Sequence, residues 1–241
     1  EIMLQNTKAH KYTYSLKGFS DFKCKILESH FDGMLLTIDG TEVWTKFIGA
    51  FNAYNILSVY AAAILLGQPK QSVLQIISTL NPVDGRIQFF RNSSGTTAVV
   101  DYAHTPDALE NILTSLKKLC GTNNKIITVV GAGGNRDTSK RPIMGKIAAQ
   151  LSDTLIITSD NPRNEEPQTI AQQMYDGVPE TLRSKVITII DRKEAIKTAV
   201  HIAKSTDVIL VAGKGHETYQ EIQGVKHHFD DREIIKELFK L

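Results

Sequence analysis

Asp160, Asn161 and Arg163 place a carboxylate, an amide and a guanidinium within four positions, with Pro162 stiffening the turn between them. The guanidinium is a planar fork of donors that matches a carboxylate bidentately. The preceding run, Asp153 to Thr158, is apolar and β-branched and reads as a buried strand, and a helix is expected to start near Pro167. The polar run therefore sits at the carboxyl end of a strand, where open α/β sheets bind ligands. Two readings stand side by side: a ligand site, or a turn in which Asp160 or Asn161 caps the next helix.

Three more polar loops follow predicted strands: Asp101-Tyr-Ala-His104, Gly131 to Arg136, and Gly213-Lys-Gly-His-Glu217. A doubly wound sheet gathers such loops along one edge. Gly213 permits close ligand approach, Glu217 can pair with an ammonium group, and Lys214 and His216 add charge of mixed sign. His104 and His216 are weak candidates for a catalytic role, since a histidine at a sheet edge also serves structure. Gly131-Ala-Gly-Gly134 resembles a dinucleotide turn only loosely, lacking the third glycine at the usual spacing. It reads either as a tight turn or as a helix amino terminus which, with Arg136, faces an anion. Asn52 and Asn55, three apart, share one helix face and either tie down neighbouring backbone or reach a base or ribose. Arg86 is placed to meet a phosphate or an interdomain carboxylate. No G-x-x-x-x-G-K-S/T loop occurs, and the near-miss Gly121 to Ile126 lacks the second glycine and the final hydroxyl and precedes a strand.

The elements that would carry these residues fall into two parts. Tyr12 to Leu16, Phe22 to Ser29 and Met34 to Ile38 alternate apolar and polar, with turns at Asp32-Gly33 and Asp39-Gly40, and predict an antiparallel meander. Ala50 to Leu66 is apolar all round and predicts a well-buried helix ended by Gly67, followed by a helix over Gln71 to Leu80. Asn81 to Arg86 breaks the pattern, and a domain boundary is placed near residue 87, giving domains 1–87 and 88–241. Beyond it strands at 96–101, 125–130, 154–157, 186–190 and 208–211 alternate with helices at 106–119, from Gly134 through 150, 169–175, 193–204 and 231–240. That alternation predicts an α/β fold: a mainly parallel, Rossmann-like sheet covered on both faces.

Composition sets the outer limits. At 41% hydrophobic and 22% charged residues the chain is an ordinary globular one, and a formal charge of +2 gives no basis for a nucleic-acid or membrane partner. The most apolar stretch, Tyr60 to Leu66, is too short to span a bilayer. Cys24 and Cys120 lack metal-ligand spacing and are expected as free thiols. No signal peptide is apparent, and position 1 is not Met, so the chain reads as a piece of a longer protein.

Taken together, Gly49-Ala-Phe-Asn-Ala-Tyr-Asn55, Gly85-Arg86, Asp101-Tyr-Ala-His-Thr-Pro-Asp107, Gly131 to Pro142, Asp160-Asn-Pro-Arg163 and Gly213-Lys-Gly-His-Glu217 resemble the Mur ligase family, in family order and over most of the chain. The closest likeness is to its diaminopimelate-adding members. The resemblance implies the end of a central ATPase domain followed by a whole carboxyl-terminal Rossmann-like domain that receives the incoming amino acid. It implies a cytoplasmic bacterial ligase that uses ATP and Mg2+ to join meso-diaminopimelate to UDP-MurNAc-L-Ala-D-Glu through an acyl phosphate. The family's P-loop, magnesium ligands and carbamylated lysine lie upstream of the matching region, so this chain alone is not expected to be active and no metal ligand is assigned to it. By the same resemblance Arg163, assisted by Asn161 and Arg136, holds the far carboxylate of diaminopimelate. Gly213 and Glu217 hold its amino end, and Asp160 and Pro162 complete that run. Asn52, Asn55, Arg86, Asp101 and His104 match the nucleotide side, and residues 86–92 match the pivot between domains. Lysine lacks the far carboxylate, and losing that pair forfeits about 2–5 kcal/mol, roughly 30-fold or more in selectivity. Lysine-adding members lack this arginine. Gln88 departs from the family's usual Glu. The alternatives are a lysine- or lanthionine-adding homologue, a folylpolyglutamate synthase-like ligase, and a non-catalytic amino-acid-binding module.

Overall fold

The structure, a computed structural model, describes residues 5–121 and 124–241. The glycine-poor near-miss at Gly121 to Ile126 includes residues 122 and 123, which lie outside the described residues. Two compact units divide the chain, Glu1–Asn81 and Pro82–Leu241.

In the first unit β1 (Tyr14–Ser15), β2 (Phe22–His30), β3 (Gly33–Ile38) and β4 (Thr41–Thr45) form one sheet in that order. β2, β3 and β4 run antiparallel, as their alternation requires, whereas the short β1 lies parallel to β2. Helices α1 (Ala50–Leu65) and α2 (Lys70–Thr79) pack on it, and Cys24, Met34, Leu36, Ile38, Leu57, Tyr60 and Ile77 fill the core between the layers. The expectation that α1 is buried all round is corrected. Ala53, Ile56, Leu57, Tyr60 and Ala61 face the unit's sheet, while Tyr54, Val59 and Leu65 on the other side of the helix are exposed within the described residues.

The second unit contains β5 (Gln88–Arg91), β6 (Thr97–Asp101), α3 (Pro106–Cys120), β7 (Ile126–Val130), α4 (Lys140–Leu151), β8 (Thr154–Ile157) and α5 (Pro167–Asp176). A 3-10 turn (Glu180–Lys185), β9 (Val186–Thr188), α6 (Arg192–Ile202), β10 (Val208–Ala212), β11 (Tyr219–Ile222), β12 (Val225–His228) and α7 (Asp231–Phe239) follow. Six strands make one sheet in the order β5-β6-β10-β7-β8-β9. All neighbours are parallel except β5, which returns antiparallel to β6. The parallel, doubly covered sheet is as predicted, and the antiparallel edge strand is an addition. Ala98, Val100, Ile127, Val129, Ile156, Ile209 and Val211 meet α6 and α7 on one face. The intervening Val99, Thr128, Leu155 and Leu210 are equally buried and point to the other face, along which α3 packs on α4 and α4 on α5.

The division at Asn81/Pro82 falls a few residues before the expected position near 87. The reason lies in what residues 84–87 bind: the Ile87 N–H donates to the Asp101 carboxylate at 2.8 Å, the Arg86 guanidinium lies 4.7 Å from the Tyr102 ring centre, and Asp84 faces Arg232 at 3.9 Å. The residues read as a connector thus belong to the second unit. Both cysteines are buried and free, and burial pushes each thiol up to about 11. Among the described residues no helix is long and apolar enough to cross a membrane.

Candidate functional site

The parallel register sets the site. Ala212 pairs with Asp101 on one side and with Val130 on the other, and Val130 pairs with Ile157. Four strands therefore end level, and the four polar loops singled out from the sequence leave the same sheet edge.

The helix-cap alternative for Asp160 and Asn161 is corrected by where their side chains go. The helix after them, α5, has Glu166 at its cap position and no side-chain cap bond. Asp160 and Asn161 are buried instead, at 6% and 4% exposure, and turn toward the loop after β10. Asn161 Nδ2 donates to Glu217 Oε2 at 2.8 Å, and Asn161 Oδ1 accepts from Lys214 Nζ at 3.1 Å and from the Glu221 N–H at 2.9 Å. Lys214, fully buried, also donates to Glu217 Oε2 at 3.3 Å and faces Asp160 Oδ1 at 3.6 Å. Asp160 Oδ1 is buried without a hydrogen-bond donor. Two carboxylates thus face one ammonium, an arrangement with an acceptor left over, and a buried acceptor without a donor costs about 1–3 kcal/mol.

Arg163 sits beside this cluster in the left-handed region, at φ 53. Its backbone is held from both sides by the β11–β12 turn: the Arg163 N–H donates to Glu221 O at 3.0 Å, and the Gln223 N–H donates to Arg163 O at 2.7 Å. Its Nη1 donates to Gly134 O at 2.8 Å, and its Nε lies 3.4 Å from Glu221 Oε2. Among the described residues no hydrogen bond engages its Nη2. Gly134 must be glycine for a spatial reason, because a Cβ there would stand 1.9 Å from Pro162 O. Gly213 also has no room to spare, since its Cβ would meet Asp160 Oδ2 at 3.0 Å. Arg136 is exposed on the same loop, and its Cγ and Arg163 Nη1 lie 3.7 and 3.1 Å from where a Cβ on Gly133 would be.

The glycine loop is not a helix amino terminus, which corrects one expectation. α4 begins only at Lys140, so residues 135–139 separate it from Gly134. Arg141 fixes the loop instead. Fully buried, it binds both Glu165 oxygens at 2.8 and 3.0 Å, Gln173 Oε1 at 2.7 Å and Gly133 O at 3.1 Å. The Asn135 N–H donates to the same Glu165 carboxylate, and the Asn164 N–H donates to Asn135 Oδ1 at 3.0 Å. The Arg141 hydrogen bonds hold the Glu165 carboxyl below its ordinary range.

On the other side of the sheet edge, both oxygens of Asp101 are taken by backbone, Oδ2 by the Ile87 N–H and Oδ1 by the Ala103 N–H, each at 2.8 Å. Burial raises the Asp101 carboxyl, and these hydrogen bonds oppose that rise. Tyr102 is surrounded by the Arg86 guanidinium and the His104 and His216 rings, whose centres lie 4.5 and 5.1 Å from its own. His104 Nδ1 lies 2.8 Å from Tyr102 O, and a carbonyl only accepts, so that nitrogen carries a proton. Lys140 Nζ donates to His104 O at 3.0 Å, and burial lowers its pKa. Asn52 and Asn55 belong to the first unit. Asn52 Nδ2 ties down Ile48 O at 2.9 Å, Asn55 Nδ2 reaches Asn52 Oδ1 at 3.5 Å, and both line a small apolar cavity with Phe47, Ile56, Val59, Ile77 and Leu80. Among the described residues no group of three or more His, Cys, Asp or Glu side chains could hold a metal ion.

The sequence reading missed the anchoring role of Lys214, the Arg141–Glu165 pair and the β11–β12 hairpin. Of these only Lys214 left a sequence signal, lying inside a loop already singled out.

Comparison with known proteins adds a second line. A family model described as "Mur ligase, glutamate ligase domain" matches residues 85–215. Over 240 residues the chain is 58% identical to a Bacteroides fragilis protein named UDP-N-acetylmuramoyl-L-alanyl-D-glutamate–2,6-diaminopimelate ligase, covering all of this chain and 50% of that one. A protein of the same name from Cytophaga hutchinsonii is 55% identical, with coverage of 98% and 49%. A solved structure bearing that enzyme name superposes with a TM-score of 0.66 at 36% identity, covering 95% of this chain and 47% of the other. The chain spans about half the length of the curated relatives it matches.

Proposed function

Because this chain belongs to the Mur ligase family, we propose that it forms the amino-acid-receiving half of an ATP-dependent ligase that adds meso-diaminopimelate to UDP-MurNAc-L-Ala-D-Glu. On this reading residues 88–241 are the carboxyl-terminal ligase domain, and the chain before them is the end of the ATPase domain. In the reaction the D-glutamyl γ-carboxylate, activated as an acyl phosphate, is attacked by the amine of diaminopimelate, and phosphate leaves as the amide forms. Catalysis belongs to the full-length protein, since a phosphate-cradling P-loop is absent from this sequence. ATP and magnesium are the cofactors of the full-length enzyme on this reading, and no metal ligand is assigned to this chain.

The work of these residues is binding and orientation, which converts an encounter of two molecules into a positioned attack. Arg163, with Arg136 and Asn161, receives the carboxylate at the far end of the amino acid. Glu217, Gly213 and Asp160 receive the ammonium beside it. Pro162 keeps the turn stiff. Asn52, Asn55, Arg86, Asp101 and His104 are assigned to the nucleotide side. Asp101 acts there by holding the backbone at Ile87 and Ala103. Before the attack the amine must be neutral; His104 and His216 are weak candidates for taking its proton, and an amine already neutral needs neither.

The observation that carries this reading is the close pairing of opposite charges at one sheet edge. The Arg163 guanidinium lies beside the cluster of Asp160, Lys214 and Glu217, and that pairing of opposite charges complements the zwitterionic end of an amino acid. The test is the full-length enzyme, wild type against Arg163→Ala, with kcat/KM compared for meso-diaminopimelate and L-lysine. Diaminopimelate should lose about 30-fold or more relative to lysine. An unchanged ratio would make the Asp160–Arg163 run a structural turn and remove the basis for naming the added amino acid. Meso-lanthionine, which has the same two ends, falls in the same substrate class.

A further inference from the structure

A buried ammonium is an expensive thing to keep, and Lys214 is wholly buried. Its partners explain why it is held there. It faces three oxygens: Asn161 Oδ1 at 3.1 Å, Glu217 Oε2 at 3.3 Å and Asp160 Oδ1 at 3.6 Å, with the Tyr219 ring centre 5.6 Å away.

Consider the amide of Asn161. Its oxygen faces two groups that can only donate, the Lys214 ammonium and the Glu221 N–H. Its orientation is therefore fixed, and its Nδ2 is turned to Glu217. One Nδ2 hydrogen goes to Glu217, and on the functional reading the second is the one offered to a ligand carboxylate. Without Lys214 the amide would lose one of the two donors that set its sense. The charge balance points the same way. Asp160 and Glu217 would repel each other without a cation between them. Lys214 offsets one of the two carboxylates, and Lys140 also lies within the field of Asp160.

We propose that Lys214 is a positioning residue for amino-acid specificity: it fixes Asn161 as a carboxylate donor and trims the Asp160–Glu217 pair to accept a single ammonium. This rests on the functional reading above, and it concerns a residue that contacts the ligand only through others.

The experiment uses the full-length enzyme carrying Lys214→Met, with Arg163→Ala measured alongside and thermal melts confirming folding. The expected result is a rise of about tenfold or more in KM for meso-diaminopimelate, with KM for ATP and for the UDP-dipeptide unchanged. A uniform loss across all three substrates, or no change in KM for diaminopimelate, would overturn the proposal. If Lys214→Met does not fold, Lys214→Gln places an amide tip among the same oxygens and carries the same expectation. The control separates the two ideas. If Arg163→Ala shifts selectivity and the Lys214 variants leave KM for diaminopimelate alone, only the role of Lys214 falls. If Arg163→Ala shifts nothing, the substrate reading falls and takes this proposal with it.

Discussion

Arg141 and Glu165 show how one ion pair can hold a loop whose own sequence is mostly glycine. The guanidinium is buried and the carboxylate is held below its ordinary range by it. A depressed carboxylate contributes stability above its unfolded-state pKa, about 4.3, and loses that contribution as pH falls through the lower folded-state value. Glu165→Gln should therefore be less stable than wild type at neutral pH, and the gap should close as pH drops from about 5 toward 3. Urea melts at stepped pH check this; a gap independent of pH would mean that the charge of Glu165 contributes nothing. The same residues mark what a sequence can tell. Asp160, Asn161 and Arg163 stood out because their types and order are unusual, but the helix-cap alternative could not be removed until the cap of α5 proved to be Glu166. Arg141 and Lys214 look like surface cations in the sequence. Their burial depends on oxygens brought in from residues 133, 160, 161, 165 and 217, and no local pattern carries that information.

The β11–β12 hairpin clamps the candidate site. Besides its bonds to the Arg163 backbone and Asn161, Gln220 Nε2 donates to Asp160 O at 2.7 Å. Its own feet are already joined, since the Phe229 N–H donates to Thr218 O at 3.0 Å. Excising Tyr219 to His228 and linking Thr218 to Phe229 through two glycines should leave the six-stranded sheet folded. In the full-length enzyme it should abolish the proposed preference for diaminopimelate over lysine. A melt showing loss of cooperative unfolding would place the hairpin in the fold rather than the site. The parallel strands were readable because they are short apolar runs between turn residues, as in Ile126–Val130 and Val208–Ala212. The hairpin was not, because β12 is Val-Lys-His-His with every residue exposed, so neither a buried face nor an apolar period announces it. β5 escaped notice for a similar reason: it is four residues long and only Phe90 is buried.

At the level of the whole chain, each unit has its own core, one drawn from residues between Phe22 and Ile77 and the other from residues between Phe90 and Phe239. A polypeptide of residues 82–241 should therefore fold alone and melt cooperatively. One starting at 88 should be less stable, because it lacks the Ile87 N–H that satisfies the buried Asp101 carboxylate. Equal melting temperatures for the two would show that the connector adds nothing. The sequence located the change of architecture, from meander to alternating strand and helix, but put the joint several residues late. Composition around Pro82 to Arg86 signals a break, whereas the side to which those residues attach depends on the distant Asp101, Tyr102 and Arg232.

The two cysteines, buried with their thiols raised to about 11, have a practical consequence. At neutral pH roughly one part in ten thousand of such a thiol is thiolate, and the folded protein shields even that fraction from reagents. The native chain is already suited to maleimide chemistry without removing either residue. A cysteine introduced at an exposed position would take up a dye essentially alone, so an optical reporter can be attached to either unit of an otherwise unaltered molecule.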